Sequence, residues 1–122
     1  MSVFQGLRTV IYAVADLEKA KEWYAQALSQ QPYFTEPFYV GFNVGGFELG
    51  LDPDVSRVKT GNNAVAYWGV SDAKAAYARL IGLGARENSP VRDVGQGILV
   101  GSVMDPFGNV LGIIQNPHFK LP

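Results

Sequence analysis

The feature that most limits the possible folds of this chain is an internal repeat of one strand–helix pattern. Residues 9–14 (TVIYAV) and 65–70 (VAYWGV) are short runs rich in β-branched and aromatic residues, which is typical of buried strands. Each run leads into an aspartate suited to cap a helix, Asp16 or Asp72, and then into apolar residues at helical spacing. The two aspartates are 56 residues apart, so the sequence predicts two copies of one unit.

Each predicted helix is followed by further strand-like runs. These runs are residues 33–35, 38–44 and 47–51 in the first copy, and residues 98–104 and 110–115 in the second copy. Gly45-Gly46 predicts a hairpin turn in the first copy, and residues 105–109 (DPFGN) predict the equivalent turn in the second. The second copy carries about six extra residues, which we expect to lie in a loop over residues 88–97.

A single unit of this kind is too small to bury both faces of its sheet, because its helix covers only one of them. Val10, Tyr12 and Val14 are expected to face the helix, yet the residues between them are also largely apolar. A strand that is apolar on both faces is usually covered on both faces. We therefore predict an α+β fold of two βαβββ repeats in a single domain over residues 1–122. Repeat 1 is expected at about 7–52, a linker at about 53–62 and repeat 2 at about 63–117.

Composition excludes several classes of function. The net charge is −1 and the Lys and Arg residues form no cluster, so neither nucleic acid nor an anionic membrane is an expected partner. The chain has no cysteine, which rules out disulfides, thiolate nucleophiles and Cys-ligated zinc. Its first ten residues show no signal-peptide pattern, and no apolar run approaches the roughly 20 residues that cross a bilayer. We expect a soluble, cytoplasmic protein.

The repeat, the strand–Val-Xaa-Asp–helix opening and the segment 104–112 (MDPFGNVLG) together resemble the vicinal oxygen chelate superfamily. This group contains glyoxalase I, extradiol dioxygenases, fosfomycin-resistance enzymes and bleomycin-binding proteins. The Asp-Pro-Xaa-Gly-Asn turn before the last strand is the most specific part of the likeness, which covers essentially the whole chain. The resemblance implies a cupped mixed β-sheet with the helices on its outer face, usually completed in a homodimer with two equivalent pockets.

The resemblance also implies four inward-facing positions for metal ligands, on the first and last strand of each copy. In metal-using members these are usually His on the first strand and Glu on the last. Here the positions are occupied by Thr9, Gly50, Val65 and Gly112. Valine and glycine side chains have no donor atom, and a lone threonine hydroxyl is a poor ligand for divalent metals. We therefore expect no metal and no cofactor.

The single histidine, His118, does not replace the missing ligands. Extradiol cleavage needs a set of two histidines and one carboxylate, which one chain cannot supply, although sharing across a dimer could provide a second histidine. Glyoxalase chemistry needs a Lewis acid and a carboxylate that moves a proton. His118 follows Asn116-Pro117 near the end of the chain, and we interpret it as an exposed terminal histidine.

Glu48 is the main candidate for chemistry, although it is only a weak candidate for catalysis. It lies two positions before Gly50, so strand alternation places it on the inward face. It could bind a cationic group, or act as a base if burial raised its pKa, or lie at a solvated rim. Several aromatic residues could line the cup or belong to the core. The predicted ligand-binding residues are Thr9, Ile11, Phe38, Phe42, Glu48, Gly50, Tyr67, Val110 and Gly112.

Three functions fit the sequence. The first is a metal-independent small-molecule-binding protein of the bleomycin-resistance type, a homodimer that sequesters an antibiotic or another partly aromatic metabolite. The second is a glyoxalase- or dioxygenase-like enzyme with a displaced metal site, for which Glu48 is the candidate residue. The third is a degenerate member that serves only as a dimerising or regulatory module. The missing ligands count against catalysis and favour the first function.

Overall fold

A computed structural model describes residues 3, 5, 7–56, 59 and 64–119. The chain divides into two compact units, Met1–Lys59 and Thr60–Pro122. Their boundary falls within the predicted linker, of which residues 57, 58 and 60–62 lie outside the described residues, as does residue 63. Each unit is described by itself below.

The first unit is a mixed four-stranded sheet with one helix among its described residues. Its elements are β1 (Thr9–Ala13), α1 (Leu17–Leu28), β2 (Phe34–Glu36), β3 (Tyr39–Val44) and β4 (Phe47–Asp52). The strand order is β1-β4-β3-β2, in which β1 pairs with β4 in parallel and the other neighbours are antiparallel. The three strands after α1 form a meander, and β1 is added at its edge through the helical crossover.

The second unit repeats this arrangement. Its elements are β5 (Ala66–Gly69), α2 (Ala73–Gly82), β6 (Arg86–Asp93), β7 (Leu99–Met104) and β8 (Val110–Gln115). The strand order is β5-β8-β7-β6, again with a parallel pair between the first and last strands. The predicted α+β fold of two βαβββ repeats is confirmed. The strands form two four-stranded sheets, one in each unit.

Both predicted helix caps are present. The Asp16 carboxylate accepts a hydrogen bond from the backbone N–H of Lys19 (3.1 Å), and Asp72 accepts one from Ala75 (3.0 Å). These bonds satisfy an amide that has no partner within the first turn of the helix, which is why a short polar residue begins each one. The α2 helix ends at Gly82.

The core of the first unit lies between its sheet and α1. Tyr12 on β1 packs on Tyr24 of α1, with ring centroids 5.9 Å apart. On this face the sheet contributes residues that are entirely or almost entirely buried, namely Tyr12, Val40, Phe42, Leu49 and Leu51. Alternation along β1, β3 and β4 therefore assigns the intervening residues to the face opposite α1.

The most specific turn of the sequence is held by a buried side chain. Asp105, which is 1% exposed, accepts hydrogen bonds from the backbone N–H groups of Phe107 (2.9 Å) and Asn109 (2.8 Å). Its own N–H donates to the Asn109 carbonyl at 2.8 Å, which closes the β7–β8 hairpin. Gly108 has φ +89°, a left-handed conformation that glycine adopts at little cost.

The predicted loop over residues 88–97 is wrong in part. Residues up to Asp93 belong to β6, which pairs with β7 through two register shifts, and only residues 94–98 form the connection. The polar composition of β6 hid the strand, since Asn, Pro and Arg are uncommon in sheets. As an edge strand, β6 tolerates Pro90 and the irregular pairing that takes up extra residues. In the described part of the chain, neither helix has the length and apolar character that crossing a membrane requires.

Candidate functional site

The candidate site lies on the face of the first unit's sheet opposite α1. Strand pairing places Thr9 beside Glu48, and Glu48 beside Asn43, in one row across β1, β4 and β3. The next row contains Ile11 and Gly50, followed by Gly41. The site is therefore built by residues of three strands that alternate with the core residues.

Two glycines paired across β3 and β4 leave the centre of this face without side chains. A Cβ atom at Gly50 would overlap the Tyr39 hydroxyl and would lie 2.5 Å from Tyr39 Cζ. A Cβ atom at Gly41 would lie 2.9 Å from Glu48 Oε2 and 3.1 Å from Tyr33 Cε1. The overlap at Gly50 is closer than real Cβ atoms approach, so this glycine is needed for the Tyr39 ring to lie against the sheet. At Gly41 a Cβ atom would be a tight contact that the Glu48 and Tyr33 side chains would have to yield to.

The two tyrosines converge on the carboxylate of Glu48. The Tyr39 hydroxyl donates a hydrogen bond to Glu48 Oε1 at 2.8 Å, and the Tyr33 hydroxyl donates to Glu48 Oε2. Each carboxylate oxygen thus has its own phenol donor. The backbone N–H of Glu48 donates to the carbonyl of Arg8 at 2.9 Å, which fixes the strand beneath the side chain.

These donors control the charge of Glu48. The hydrogen bond from Tyr33 lowers the pKa of Glu48 most, Tyr39 and Thr9 lower it further, and partial burial opposes them. The net effect is a pKa below the ordinary 4.5, because each donor stabilises the ionised form. This direction counts against the alternative in which burial raises the pKa of Glu48 and makes it a base. Glu48 is a carboxylate anion at neutral pH.

The phenols shift in the opposite direction. The hydrogen bond to Glu48 raises the pKa of Tyr33, and burial, followed by the bond to Glu48, raises the pKa of Tyr39. Both hydroxyl groups are therefore protonated donors at neutral pH, and neither supplies a phenolate. The arrangement is a fixed anion with two neutral donors, which suits electrostatic binding better than proton transfer.

An aromatic cluster adjoins the carboxylate. Phe34 lies at its centre, with ring centroids 6.5 Å from Tyr33, 6.3 Å from Phe38 and 6.2 Å from Tyr39. Tyr33 and Phe38 are 63% and 66% exposed, and Phe34 is 38% exposed, so these rings keep much of their surface available. We call Tyr33, Phe34, Phe38 and Tyr39 the aromatic cluster.

The predicted ligand-binding residues of the first unit divide into two groups. Thr9, Glu48 and Gly50 meet at the site, with exposed Ile11 beside them in the sheet and Phe38 in the aromatic cluster. Phe42 is the exception: its side chain is fully buried on the α1 face, and its assignment to the ligand is wrong. Phe42 pairs with Leu49, so it shares the orientation of a core residue rather than that of Gly41.

Tyr33 and Phe34 belong to the candidate site but are absent from the ligand-binding residues predicted from the sequence. Tyr33 precedes β2 and is positioned by its backbone N–H, which donates to the Gly41 carbonyl at 3.0 Å. A signal was present, because glycines within the strands at 41 and 50 indicate that another group approaches the sheet closely.

In the second unit, Gly112 on β8 pairs with Tyr67 on β5. A Cβ atom at Gly112 would lie 2.8 Å from Tyr67 Cδ1 and 2.9 Å from Val65 Cγ1. Tyr67 is 49% exposed, whereas Val110 is buried on the same face as Gly112. The three atoms nearest to such a Cβ belong to Tyr67, Ala66 and Val65, so none is a carboxylate like that of Glu48.

The four positions that would hold a metal do not fit one. Thr9 offers only a hydroxyl and Val65 offers nothing, while side chains at Gly50 and Gly112 would collide with Tyr39 and Tyr67. Elsewhere in the described residues, no three His, Asp or Glu side chains are grouped so that they could hold an ion. His118, which is exposed, places Nε2 2.9 Å from the carbonyl oxygen of Gln96.

Comparison with known families decides the relationship of the chain. The sequence profile of the Glyoxalase/Bleomycin resistance protein/Dioxygenase superfamily matches residues 6–113. The chain belongs to this superfamily. The match runs from before β1 into β8 and so includes both repeats of the superfamily fold. A search of curated proteins found no significant match.

Solved structures of the glyoxalase/bleomycin resistance superfamily share the fold. A glyoxalase-related enzyme from Fulvimarina pelagi is 22% identical, with a TM-score of 0.79 over 98% of this chain and 94% of that one. A glyoxalase/bleomycin resistance protein from Albidiferax ferrireducens T118 is 18% identical, with a TM-score of 0.73 over 91% of this chain and 98% of that one. At these identities the likeness extends to the fold alone.

Proposed function

We propose that this superfamily member is a metal-independent small-molecule-binding protein that sequesters a partly aromatic molecule, such as an antibiotic or another metabolite. The packing of Tyr39 over Gly50 is the observation that carries the proposal. The position where metal-using relatives usually carry a glutamate has no side chain, and the space above it holds a phenol ring. Where metal-using relatives carry a metal-ligating side chain, this chain therefore packs the ring of Tyr39.

The second unit supports the same conclusion. Tyr67 packs against Gly112 much as Tyr39 packs against Gly50, although the ring comes from the paired first strand and not from the hairpin. Gly50 and Gly112 occupy equivalent positions, and each has an aromatic ring packed against it. This arrangement favours two metal-free binding surfaces. It does not favour a single displaced metal centre.

The aromatic cluster supports the class of ligand. Exposed rings that contact one another offer flat apolar surface for stacking, and they lose little side-chain entropy when a ligand binds. The lowered pKa of Glu48 also favours binding over catalysis, since a carboxylate that is already well solvated by phenols is a weak base.

We also propose that the chain acts as a homodimer in the cytoplasm. Exposed apolar side chains on the open sheet faces, among them Ile11 (56%), Tyr67 (49%) and Val65 (38%), support association. The location rests on the sequence alone, which lacks cysteine.

Metal analysis combined with a ligand screen tests the proposed function. Protein purified without a histidine tag and dialysed is expected to contain no stoichiometric Fe, Mn, Ni or Zn. A thermal-shift screen of aromatic metabolites and antibiotics is expected to find compounds that raise the melting temperature, because a ligand that binds only the folded state stabilises it. Retained stoichiometric metal would contradict the proposal and favour an enzyme of the glyoxalase or dioxygenase type. A screen without any stabilising compound would favour a dimerising or regulatory module.

A further inference from the structure

We infer that Glu48 and the aromatic cluster bind an organic ammonium ion carried by an aromatic molecule. This inference rests on the proposed function and narrows its ligand to cations. It follows from three properties of the site: a negative charge without a cationic partner among the described residues, a free acceptor position, and aromatic faces beside them.

The first property is the charge itself. Two ion pairs among the described residues join Lys19 to Asp16 and Lys21 to Glu18, and neither involves Glu48. All partners of the Glu48 carboxylate within the described part of the chain are neutral hydroxyl groups. Phenol donors keep the carboxylate ionised but leave its full negative charge in place, so the site retains a net attraction for a cation.

The second property is the remaining hydrogen-bonding capacity. A carboxylate offers about four acceptor positions. Tyr33 and Tyr39 take one position each, and the contribution of Thr9 is smaller. At least one position is left for an N–H donor of a ligand. A hydrogen bond from an ammonium group would be charge-assisted and hence stronger than the bond from a neutral donor.

The third property is the arrangement of the rings. Tyr33 and Tyr39 both touch the carboxylate through their hydroxyl groups, and Phe34 contacts both rings. A cation near Glu48 is therefore within reach of aromatic faces, which attract cations through their electron-rich centres. The exposed ring of Phe38 extends the same surface for the aromatic part of the ligand.

A purely structural role explains the site less well. If Glu48 served only to anchor the two tyrosines, a neutral acceptor such as glutamine would suffice, and the partial burial of a charge would carry a cost without a return. A role as general base is disfavoured by its lowered pKa. Binding of a cation is the role that uses the charge, the donors and the rings together.

The test uses the full-length chain and two probes of nearly the same shape. Benzylamine is a cation at neutral pH, whereas benzyl alcohol is its neutral counterpart with the same ring. Affinity is measured by isothermal titration calorimetry, and the site is located by amide chemical shifts. We expect benzylamine to bind at least about tenfold more tightly than benzyl alcohol, and added salt to reduce this preference.

Variants assign the preference to the site. Glu48→Gln is expected to remove the preference for benzylamine, and Phe34→Leu, at a half-exposed position, is expected to weaken it while keeping the fold. Glu22→Gln is the matched control, because it removes the same charge from an exposed position on α1. Circular dichroism of each variant verifies folding. If Glu48→Gln fails to fold, the inference is still tested by the weaker benzylamine preference expected in Phe34→Leu and by the salt dependence of that preference in the wild type.

Equal binding of both probes, or an unchanged preference in Glu48→Gln, would overturn the inference and leave the proposed binding function standing. Absence of binding by either probe, with hits from the metabolite screen, would have the same meaning. Failure of the proposed function itself has a different signature, which is retained metal or a screen without hits.

Discussion

The Tyr39 hydroxyl occupies the space directly above Gly50, where any larger residue would place its Cβ atom. The same hydroxyl donates a hydrogen bond to Glu48, which lies two residues before Gly50 on the same face of β4. One phenol therefore fills the vacant ligand position and fixes the charge beside it. This contact makes the packing at Gly50 open to direct measurement.

Replacement of Gly50 by alanine is expected to destabilise the protein by about 1–3 kcal/mol, because the new methyl group forces Tyr39 away from the sheet. Chemical denaturation measures the change. Gly69→Ala is the matched control, since a Cβ atom at Gly69 meets nothing within 4 Å, and a small effect is expected there. If Tyr39 is the cause, the cost of Gly50→Ala will be smaller in a Tyr39→Ala background. Equal costs in both backgrounds would contradict the packing described above.

Glu48 is expected to stabilise the protein at neutral pH and to lose this effect in acid. Its folded pKa lies below its ordinary value of 4.5, so the folded state favours the ionised form and the unfolded state binds the proton more readily. The contribution is present above about pH 4.5 and declines as the pH falls through the folded pKa. Denaturation at several pH values should show a smaller acid-induced loss of stability in Glu48→Gln. The same acid-induced loss in both proteins would contradict this assignment.

Removal of the Glu48 charge is also expected to lower the pKa of Tyr33 towards its ordinary 10.0, because the hydrogen bond to Glu48 is the main cause of its rise. Ultraviolet titration of phenolate formation in wild type and Glu48→Gln measures the shift. Tyr33→Phe, which removes this phenol, identifies the signal. A Tyr33 titration unaffected by Glu48→Gln would show that the two side chains are not coupled.

Two phenylalanines, Phe38 in the turn before β3 and Phe42 within β3, are expected to respond in opposite ways. Phe42→Ala should cost about 3–5 kcal/mol of stability, since this ring is fully buried against the α1 side of the sheet. Phe38→Ala should cost little stability, because its ring is 66% exposed, but should weaken binding of aromatic probes. Denaturation and calorimetry on the same two variants measure both effects. A large loss of stability in Phe38→Ala would place that ring in the core.

Asp105→Ala is expected to destabilise the chain by about 1–3 kcal/mol, because it leaves the buried N–H groups of Phe107 and Asn109 without their acceptor. Asp105→Asn, which keeps an acceptor oxygen, should cost less. Asp93→Ala serves as the control, since Asp93 also accepts from a turn N–H, that of Gly95, but is exposed. Similar costs for Asp93→Ala and Asp105→Ala would contradict the importance of burial.

The repeated elements were predictable because local rules decide them. Asp16 and Asp72 begin the helices by capping, and the alternation of Val10, Tyr12 and Val14 fixes which face of β1 is buried. The inward direction of Glu48 follows from the same alternation on β4. Phe42 was misassigned because its aromatic character was given more weight than its position one residue after Gly41.

The chemistry of the site depended on contacts that sequence spacing does not reveal. Tyr33 lies outside the strands, and its approach to Glu48 depends on how β2 pairs with β3. The direction of the Glu48 pKa shift depends on whether hydrogen-bond donors outweigh burial, which requires the positions of both phenols. The strand character of β6 was hidden because its pairing is irregular and its residues are mostly polar.

The paired glycines at 41 and 50 restrict how this site can change during evolution. A glutamate at position 50 would have no room while the Tyr39 ring lies there, and the loss of that ring would release one of the donors that hold Glu48. Introducing a metal ligand at position 50 would therefore require at least two coordinated replacements. Positions 39, 48 and 50 are accordingly expected to change together and not one at a time.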